Sequence, residues 1–306
     1  MSSPVDLVWL KSSTQELALL PRLGGGIAAW RWRLQDGGFD VWRPWDGVSG
    51  DCYKVASFPM LPWSNRISQG GFEHAGRWYP MRPNRAGEHY PIHGDGCLQR
   101  WQLSHQGERE ALLTLSSRHY NEAPYSYDAS QRLLLLVDGL EQTLSVTNRG
   151  EVPLPFGLGL HPWFTRTPGV RLQAPVSGMW LSGADPIPTQ HVDDLAPGFD
   201  LNHGIAMTGG PLIDHGYTGW NGTARITWPE VGLALDVRAA PLAVPGGSLP
   251  PRYCVVYRPP AGQVFCIEPM THPIDAFHLP GRPGLVELTP DETMTLSVSW
   301  RISAHS

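Results

Sequence analysis

The 306-residue sequence is poor in lysine, with only Lys11 and Lys54, and it contains no run of basic residues. So few lysines leave little scope for Schiff-base chemistry. With a net charge of −5, the chain also offers no basic surface to follow a phosphate backbone. We therefore expect neither a covalent lysine mechanism nor a nucleic-acid partner.

Cysteine is also scarce, and the arrangements that would indicate a metal or redox site are missing. The cysteines are far apart with no C-x-x-C spacing, which argues against a zinc ribbon or a thioredoxin-like motif: Cys52, Cys97, Cys254 and Cys266. There is no H-x-H or H-E-x-x-H spacing and no glycine-rich strand–helix unit that would cradle a phosphate. We therefore expect no metal and no organic cofactor.

Long apolar runs are absent, and so are the features of a secretory leader. No stretch of about 18 apolar residues is available to span a membrane. The N-terminal "MSSPVDLVWLKSS" lacks both the basic and the apolar segment of a signal peptide. These absences favour a cytoplasmic protein that has no membrane partner.

Helical periodicity is nearly missing, whereas short alternating or apolar runs between Gly, Pro, Asn and Asp clusters recur along the chain. In "RLLLLVDGLEQTLSVTN", Asp138-Gly139 separates two such runs and predicts a hairpin. The Pro-rich segment 240–253 is typical of a long surface loop. No repeat of fixed period occurs, which argues against propellers and solenoids. We predict one large all-β domain over residues 1–306, an antiparallel β-sandwich.

One ionisable residue stands out in "QVFCIEPMTHPIDAFH", residues 263–278. Glu268 follows an apolar run that predicts a buried strand, and Pro269 is expected to end that strand. A buried carboxylate without a partner costs several kcal/mol or takes up a proton. Either the protein or a ligand must therefore satisfy Glu268.

Four further stretches enclose polar residues between Gly, Pro and aromatic residues. They contribute these candidates: Asn65 and Arg66 in "FPMLPWSNRISQGGF", His93 in "HYPIHGDGCLQRW", His161 in "PLPFGLGLHPWFTR" and Asp214 in "GGPLIDHGYTGW". Each has an ordinary alternative as a turn residue, a surface cation or a loop histidine. Trp63, Trp101, Trp163 and Trp220 fall in the same stretches and would suit the apolar face of a sugar ring, although tryptophan also fills cores.

Five motifs, in this order, resemble the aldose 1-epimerase (galactose mutarotase) family. They are "LPRLGGGIAAWRWR", "SNRISQGGF", "IHGDG" with its following Trp, "GLHPWF" and "CIEPMTHPIDAF". The closing "LTPDETMTLSVSWRI" also resembles the last strand of that family. The resemblance covers essentially the whole chain. It implies a galactose mutarotase-like supersandwich with a cofactor-free sugar site that interconverts the anomers of galactose or glucose.

The resemblance also implies residue roles. Glu268 matches the general base and His161 the general acid, and His93 matches a second active-site histidine. Arg66 matches the arginine that binds sugar hydroxyls, with Asn65 beside it. Asp214 matches the sugar-binding aspartate, with four other aspartates nearby: Asp185, Asp193, Asp194 and Asp200. A desolvated Glu268 has a raised pKa, and His161 is expected to carry a proton near neutral pH.

Other functions stay open on sequence grounds. A glycoside hydrolase needs two carboxylates across the scissile bond, which Asp214 and Glu268 could supply. A non-catalytic carbohydrate-binding protein would keep the aromatic residues without needing Glu268 and His161 together. A hexose-6-phosphate mutarotase would need extra basic residues, with Arg82, Arg85 and Arg166 as candidates. In every case we expect a small-molecule sugar as the ligand and a monomer or a weak homodimer.

Overall fold

The computed structural model describes residues 7–305, which form short strands joined by loops and 3-10 turns. The strands are β1 (Val8–Lys11), β2 (Gln15–Leu20), β3 (Gly26–Leu34), β4 (Gly37–Trp42), β5 (Ser57–Met60), β6 (Gly71–His74), β7 (Arg77–Pro80), β8 (Gln102–Gln106), β9 (Glu110–Arg118), β10 (Ser126–Leu135), β11 (Gly139–Asn148), β12 (Leu154–Phe156), β13 (Gly159–Pro162), β14 (Phe164–Thr165), β15 (Arg171–Gln173), β16 (Gly178–Ser182), β17 (Pro188–Val192), β18 (Ile205–Ala206), β19 (Ile213–Thr218), β20 (Thr223–Trp228), β21 (Leu233–Ala239), β22 (Leu242–Val244), β23 (Gly247–Leu249), β24 (Tyr253–Arg258), β25 (Val264–Met270), β26 (Val286–Leu288) and β27 (Thr293–Ala304).

Helical structure within residues 7–305 consists of three-residue 3-10 turns: Cys52–Lys54, Gly96–Leu98, Tyr120–Glu122, Leu201–His203, Pro229–Val231 and Ala276–His278. None of these described helices is long and apolar enough to cross a membrane.

The strands form two large sheets, in which all strand pairs are antiparallel. The first, which we call the front sheet, has 12 strands; its main path is β1-β2-β3-β4-β14-β25-β24-β19-β16-β17, with β5 and β13 attached. The second, the back sheet, has 11 strands; its path is β18-β15-β20-β21-β27-β11-β10-β9-β8, with β22 and β23 attached. Two small ribbons complete the fold, β12 with β26 and β6 with β7.

The back sheet confirms the hairpin predicted from Asp138-Gly139. Strands β10 and β11 pair from Tyr127 with Asn148 to Leu135 with Leu140, and the exposures of their residues alternate. Alternation of this kind is the pattern of a strand with one face buried. The prediction of an all-β antiparallel fold is therefore confirmed.

Large aromatic side chains hold the two sheets together. The rings of Trp42 on the front sheet and Trp300 on the back sheet lie 5.3 Å apart in an edge-to-face arrangement. Phe39 and Trp228 make a second such contact across the interface, at 5.2 Å. Because each buried aromatic ring removes a large apolar area from water, these contacts dominate the core energetically. The two sheets thus form a sandwich around a shared hydrophobic core.

Two local predictions were wrong. Pro269 does not end the strand that carries Glu268, because β25 continues through it to Met270. On the side of β25 that faces β13 and β14, backbone pairing is present at Met270 and at Phe265 but not between them. The missing N–H of Pro269 therefore falls in a gap of this ladder. The segment 240–253 is also not all loop, since β22 and β23 form a hairpin within it.

Candidate active site

A cavity of about 310 Å³ opens on the front sheet, and strands β13, β19, β24 and β25 contribute to its lining. All the residues predicted for the site line this cavity: Asn65, Arg66, His93, His161, Asp214 and Glu268. They come from positions separated by up to 203 residues of the sequence, so the tertiary fold brings them together. The volume suits a small ligand.

Glu268 and His161 are cross-strand neighbours. Gly159 pairs with Met270 and Phe164 pairs with Phe265, and the same antiparallel register continued along the strands sets His161 opposite Glu268. Residues directly opposite each other in an antiparallel pair direct their side chains to the same face. The register therefore determines that the imidazole meets the carboxyl group.

The Glu268 carboxyl group is almost wholly buried. Its Oε1 lies 3.3 Å from His161 Nε2, and its Oε2 has no hydrogen-bond partner among the described residues. Burial raises the pKa of Glu268 well above its usual value, and the charge of Asp214 raises it further, whereas Arg66 acts in the opposite direction. The side chain thus keeps one oxygen free for a ligand and tends to retain a proton.

His161 lies between aromatic rings. Its imidazole is stacked on Phe58, with ring centroids 4.5 Å apart, and lies 4.8 Å from the ring of Trp163. Burial lowers the pKa of His161 to about 3, and the charges of Arg43 and Arg85 act in the same direction. The expectation that His161 alone carries a proton near neutral pH is therefore wrong for the free protein, because its apolar surroundings disfavour the imidazolium.

Cys266 contacts the other ring nitrogen of the same imidazole. Its Sγ lies 3.8 Å from His161 Nδ1, and burial raises the pKa of the thiol well above its usual value. The thiol sulfur is a weak acceptor, and a ring proton on Nδ1 that faces it leaves Nε2 free to accept a proton from Glu268.

These three residues also bring potential metal-ligand atoms within 4.8 Å of one another. Burial raises the pKa values of the Cys266 thiol and the Glu268 carboxyl group, so both groups would have to lose a proton in apolar surroundings before they could bind an ion. The donor set therefore fits a metal poorly.

His93 is held by a reciprocal backbone contact with Asn65. The His93 N–H donates to the Asn65 carbonyl at 2.9 Å, and the Asn65 N–H donates to His93 Nδ1 at 3.2 Å. Because Nδ1 accepts, the ring proton of His93 resides on Nε2. Both residues have positive φ, 52° and 60°, and Gly94 next to them approaches the Leu61 carbonyl so closely that a Cβ would lie 1.9 Å from its oxygen.

Arg66 is positioned by a two-point ion pair. Its Nε and Nη2 lie 3.2 and 3.3 Å from the two carboxylate oxygens of Glu88, and Asn65 Oδ1 accepts from its backbone N–H at 3.0 Å. Bidentate pairing fixes the plane of the guanidinium group. Sequence analysis missed Glu88, which carries no motif of its own.

Asp214 lies on β19, two strands from Glu268 in the front sheet, with β24 between them. Burial raises the pKa of Asp214, and the charges of Arg66 and His215 act against that rise. Of the nearby aspartates considered, Asp214 lines the cavity, whereas Asp185 accepts a hydrogen bond from the Tyr90 hydroxyl.

The tryptophan hypothesis is only partly correct. Trp163 lines the cavity, but Trp63, Trp101 and Trp220 are at most 2% exposed and pack in the core. Several lining residues were not predicted: Arg43, Tyr53, Lys54, Glu88, Ile92, Val255 and Tyr257. Of these, only Lys54 stood out in the sequence, as one of two lysines.

The chain is similar to the proteins of one known family. The model of the family described as aldose 1-epimerase matches residues 6–301. The chain belongs to the aldose 1-epimerase family. An uncharacterised Escherichia coli K12 protein, YphB, is 34% identical over 261 residues, which cover 83% of this chain and 86% of that protein.

Solved structures of the aldose 1-epimerase family have the same fold. A candidate aldose 1-epimerase from Escherichia coli K12 superposes with a TM-score of 0.87 at 31% identity, over 98% of this chain and 99% of that one. An aldose epimerase homologue from Caenorhabditis elegans superposes with a TM-score of 0.79 over 98% of this chain and 99% of that one. Its 16% identity makes it a likeness of fold alone.

Proposed function

We propose that this chain is an isomerase that interconverts the α and β anomers of a free aldohexose such as galactose or glucose. The observation that carries the proposal is the 3.3 Å contact of His161 Nε2 with Glu268 Oε1 in the wall of a small cavity, with the second Glu268 oxygen unpartnered. Mutarotation needs a base at the C1 hydroxyl group and an acid at the ring oxygen, two oxygens bonded to the same carbon, and this pair offers both.

The reaction proceeds by ring opening and closure. Glu268 removes the proton from the C1 hydroxyl while His161 protonates the ring oxygen, and the bond between C1 and that oxygen breaks to leave an open-chain aldehyde. Rotation about C1–C2 turns the other face of the aldehyde toward the C5 hydroxyl. In the reverse transfers, the C5 hydroxyl returns its proton to His161 and Glu268 returns one to the oxygen on C1. No proton is gained or lost overall.

The raised pKa of Glu268 supplies the proton that this cycle requires. An imidazole whose pKa is about 3 would not hold an extra proton at neutral pH by itself. The raised pKa of the carboxyl group keeps one proton within the pair, and its transfer from Oε1 to Nε2 makes Glu268 the base and His161 the acid. A sugar with its C1 hydroxyl on Glu268 and its ring oxygen at His161 favours this charged arrangement.

The remaining residues have binding roles in this proposal. Arg66 and Asp214 bind ring hydroxyls, Asn65 supports Arg66, and His93 donates from Nε2. The proposal also includes the sequence-based expectations of a cytoplasmic location, a monomer or weak homodimer, and catalysis without a metal or organic cofactor.

The direct test is polarimetry on freshly dissolved α-glucose and α-galactose, with the spontaneous rate in buffer subtracted. We expect relaxation to the equilibrium anomer mixture to accelerate with enzyme concentration and to persist after exhaustive chelation. Material prepared in the same way from the Glu268→Gln variant controls for contaminating activity. Relaxation at the buffer rate for every aldohexose tested would contradict the proposal.

A further inference from the structure

One end of the cavity carries three cations that have no carboxylate partner. Arg43, Lys54 and Arg85 all line it, and within residues 7–305 none of them lies within 4 Å of a carboxylate oxygen. Arg66, the fourth cation of the lining, differs because Glu88 neutralises it. We call Arg43, Lys54 and Arg85 the cationic end.

Aromatic rings and backbone carbonyls hold the two arginines in place. Arg43 Nη2 donates to the carbonyls of Tyr53 and Val55 at 3.2 and 2.9 Å, and its guanidinium lies 4.8 Å from the ring centroid of Trp163. The Arg85 guanidinium lies 3.9 Å from the ring centroid of Tyr53. These contacts restrict the arginines without neutralising their charge, so an anion placed there would meet pre-positioned donors.

The cationic end adjoins the histidines. Trp163, which contacts Arg43, packs on His161, and Tyr53, which contacts Arg85, packs on His93 with ring centroids 5.8 Å apart. On the other side, Asp214 is the neighbour whose charge acts on Glu268. The cavity is therefore polarised, with acidic groups near the base and free cations near the acid.

The order of the atoms in a pyranose ring, combined with this distribution of charge in the cavity, predicts the class of substrate. The ring oxygen joins C1 to C5, and C5 carries C6. A ring with its C1 hydroxyl at Glu268 and its ring oxygen at His161 therefore continues beyond His161 to C5 and its C6 substituent. A neutral C6 hydroxymethyl group does not require three unpaired cations, whereas an anionic group would satisfy them.

We infer that the cationic end binds an anionic group, a carboxylate or a phosphate, on C6 of the aldose. This inference rests on the proposed function and specifies its substrate class. Of the arginines named from sequence as a possible phosphate cluster, Arg85 is part of it. Arg82 instead pairs with Glu122 beside another cavity, and Arg166 donates to the Pro259 carbonyl.

The test compares kcat/KM for glucose, glucuronate and glucose 6-phosphate, each corrected for its own spontaneous rate. We expect at least one anionic sugar to exceed glucose by about tenfold or more, a ratio of the size that one charge-assisted hydrogen bond supplies. The more strongly preferred anion then identifies carboxylate or phosphate as the C6 group. The preference should shrink as ionic strength rises.

Variants locate the effect. Arg85→Gln with Lys54→Gln removes two exposed charges and should reduce kcat/KM for the preferred anionic sugar at least fivefold more than for glucose. Arg82→Gln, at an exposed arginine of the other cavity, is the matched control and should change neither value. Acceleration of glucose without preference for either anion, or equal losses on all three sugars in the double variant, overturns the inference and leaves the proposed function standing. No acceleration of any of the three, and none of galactose, overturns both.

Discussion

Two buried carboxyl groups in this protein resemble each other in everything except their partners. Glu268 is 2% exposed and Asp95 is 3% exposed, and each has one oxygen without a hydrogen-bond partner among the described residues. Both line cavities, and the cavity beside Asp95 is the larger, at about 380 Å³ against about 310 Å³. Neither burial nor cavity size distinguishes them.

The hydrogen-bond partners of Glu268 and Asp95 distinguish the two carboxyl groups. Asp95 Oδ1 accepts from the Tyr127 hydroxyl and, at 3.1 Å, from Gln99 Nε2. Neither donor gives up its proton in the physiological range, because burial raises the pKa of Tyr127 well above its usual value and an amide does not titrate. The partner of Glu268 is an imidazole, which both accepts and donates protons. A buried carboxyl group is thus a candidate base when its partner can exchange a proton with it.

The largest expected effect comes from a substitution that removes proton exchange at Glu268, compared with a substitution of Asp95, whose partners do not exchange protons. Glu268→Gln retains shape but loses the basic site, so kcat should fall by about 10²-fold or more while sugar binding persists. His161→Asn should act similarly, and the two losses should not add, because each stops the same proton transfer. Asp95→Asn is the matched control and should keep kcat within a few-fold. Equal losses of kcat in all three variants would contradict this account, because they would show that each substitution disturbs the structure and that proton exchange is not what distinguishes Glu268.

The stability of the protein should depend on pH through Asp95. Burial raises the pKa of Asp95 to about 7, against the opposing effects of Tyr127 and Gln99. Because this folded-state pKa exceeds the unfolded value, ionisation of Asp95 opposes folding, and the cost grows as pH rises from about 4 to about 7. Asp95→Asn removes that cost. Its free energy of unfolding relative to wild type should therefore increase by roughly 1–3 kcal/mol between pH 5 and pH 8, measured by urea denaturation. A difference that is constant with pH would contradict this account.

The smallest expected effect is a shift of the pH profile caused by the charge of Asp214, which acts on the pair formed by Glu268 and His161. In the active form, Glu268 and His161 together hold one proton. The alkaline limb of the pH profile of kcat/KM therefore follows the loss of that proton. The acid limb follows the uptake of a second proton, at a pH well below the ordinary pKa range of histidine. Asp214→Asn removes a negative charge that raises the pKa of Glu268, so the alkaline limb should move to lower pH. Asp95→Asn should leave that limb in place. An unchanged alkaline limb in Asp214→Asn would show that the two carboxyl groups are not coupled.

Much of the candidate site could be predicted from local sequence. The apolar run before Glu268 and the Gly, Pro and aromatic residues around His161 identify both residues as candidates in the sequence. The order of the family motifs then indicated the other candidate residues of the site: Asn65, Arg66, His93 and Asp214. The prediction that Pro269 ends its strand was wrong because the ladder between β25 and its neighbours β13 and β14 has a gap at that point, which neighbouring residues in the sequence do not indicate.

By itself, the sequence determined the class of fold and most of the residues that line the site, because alternation, turn residues and motifs are properties of neighbouring positions. Only the tertiary structure decided the register that sets His161 opposite Glu268, the burial that lowers one pKa and raises the other, and the gathering of Arg43, Lys54 and Arg85 beside the histidines. These depend on contacts between strands and loops far apart in the chain, and the energy of a charge depends on its distance to other charges and on the water it has lost.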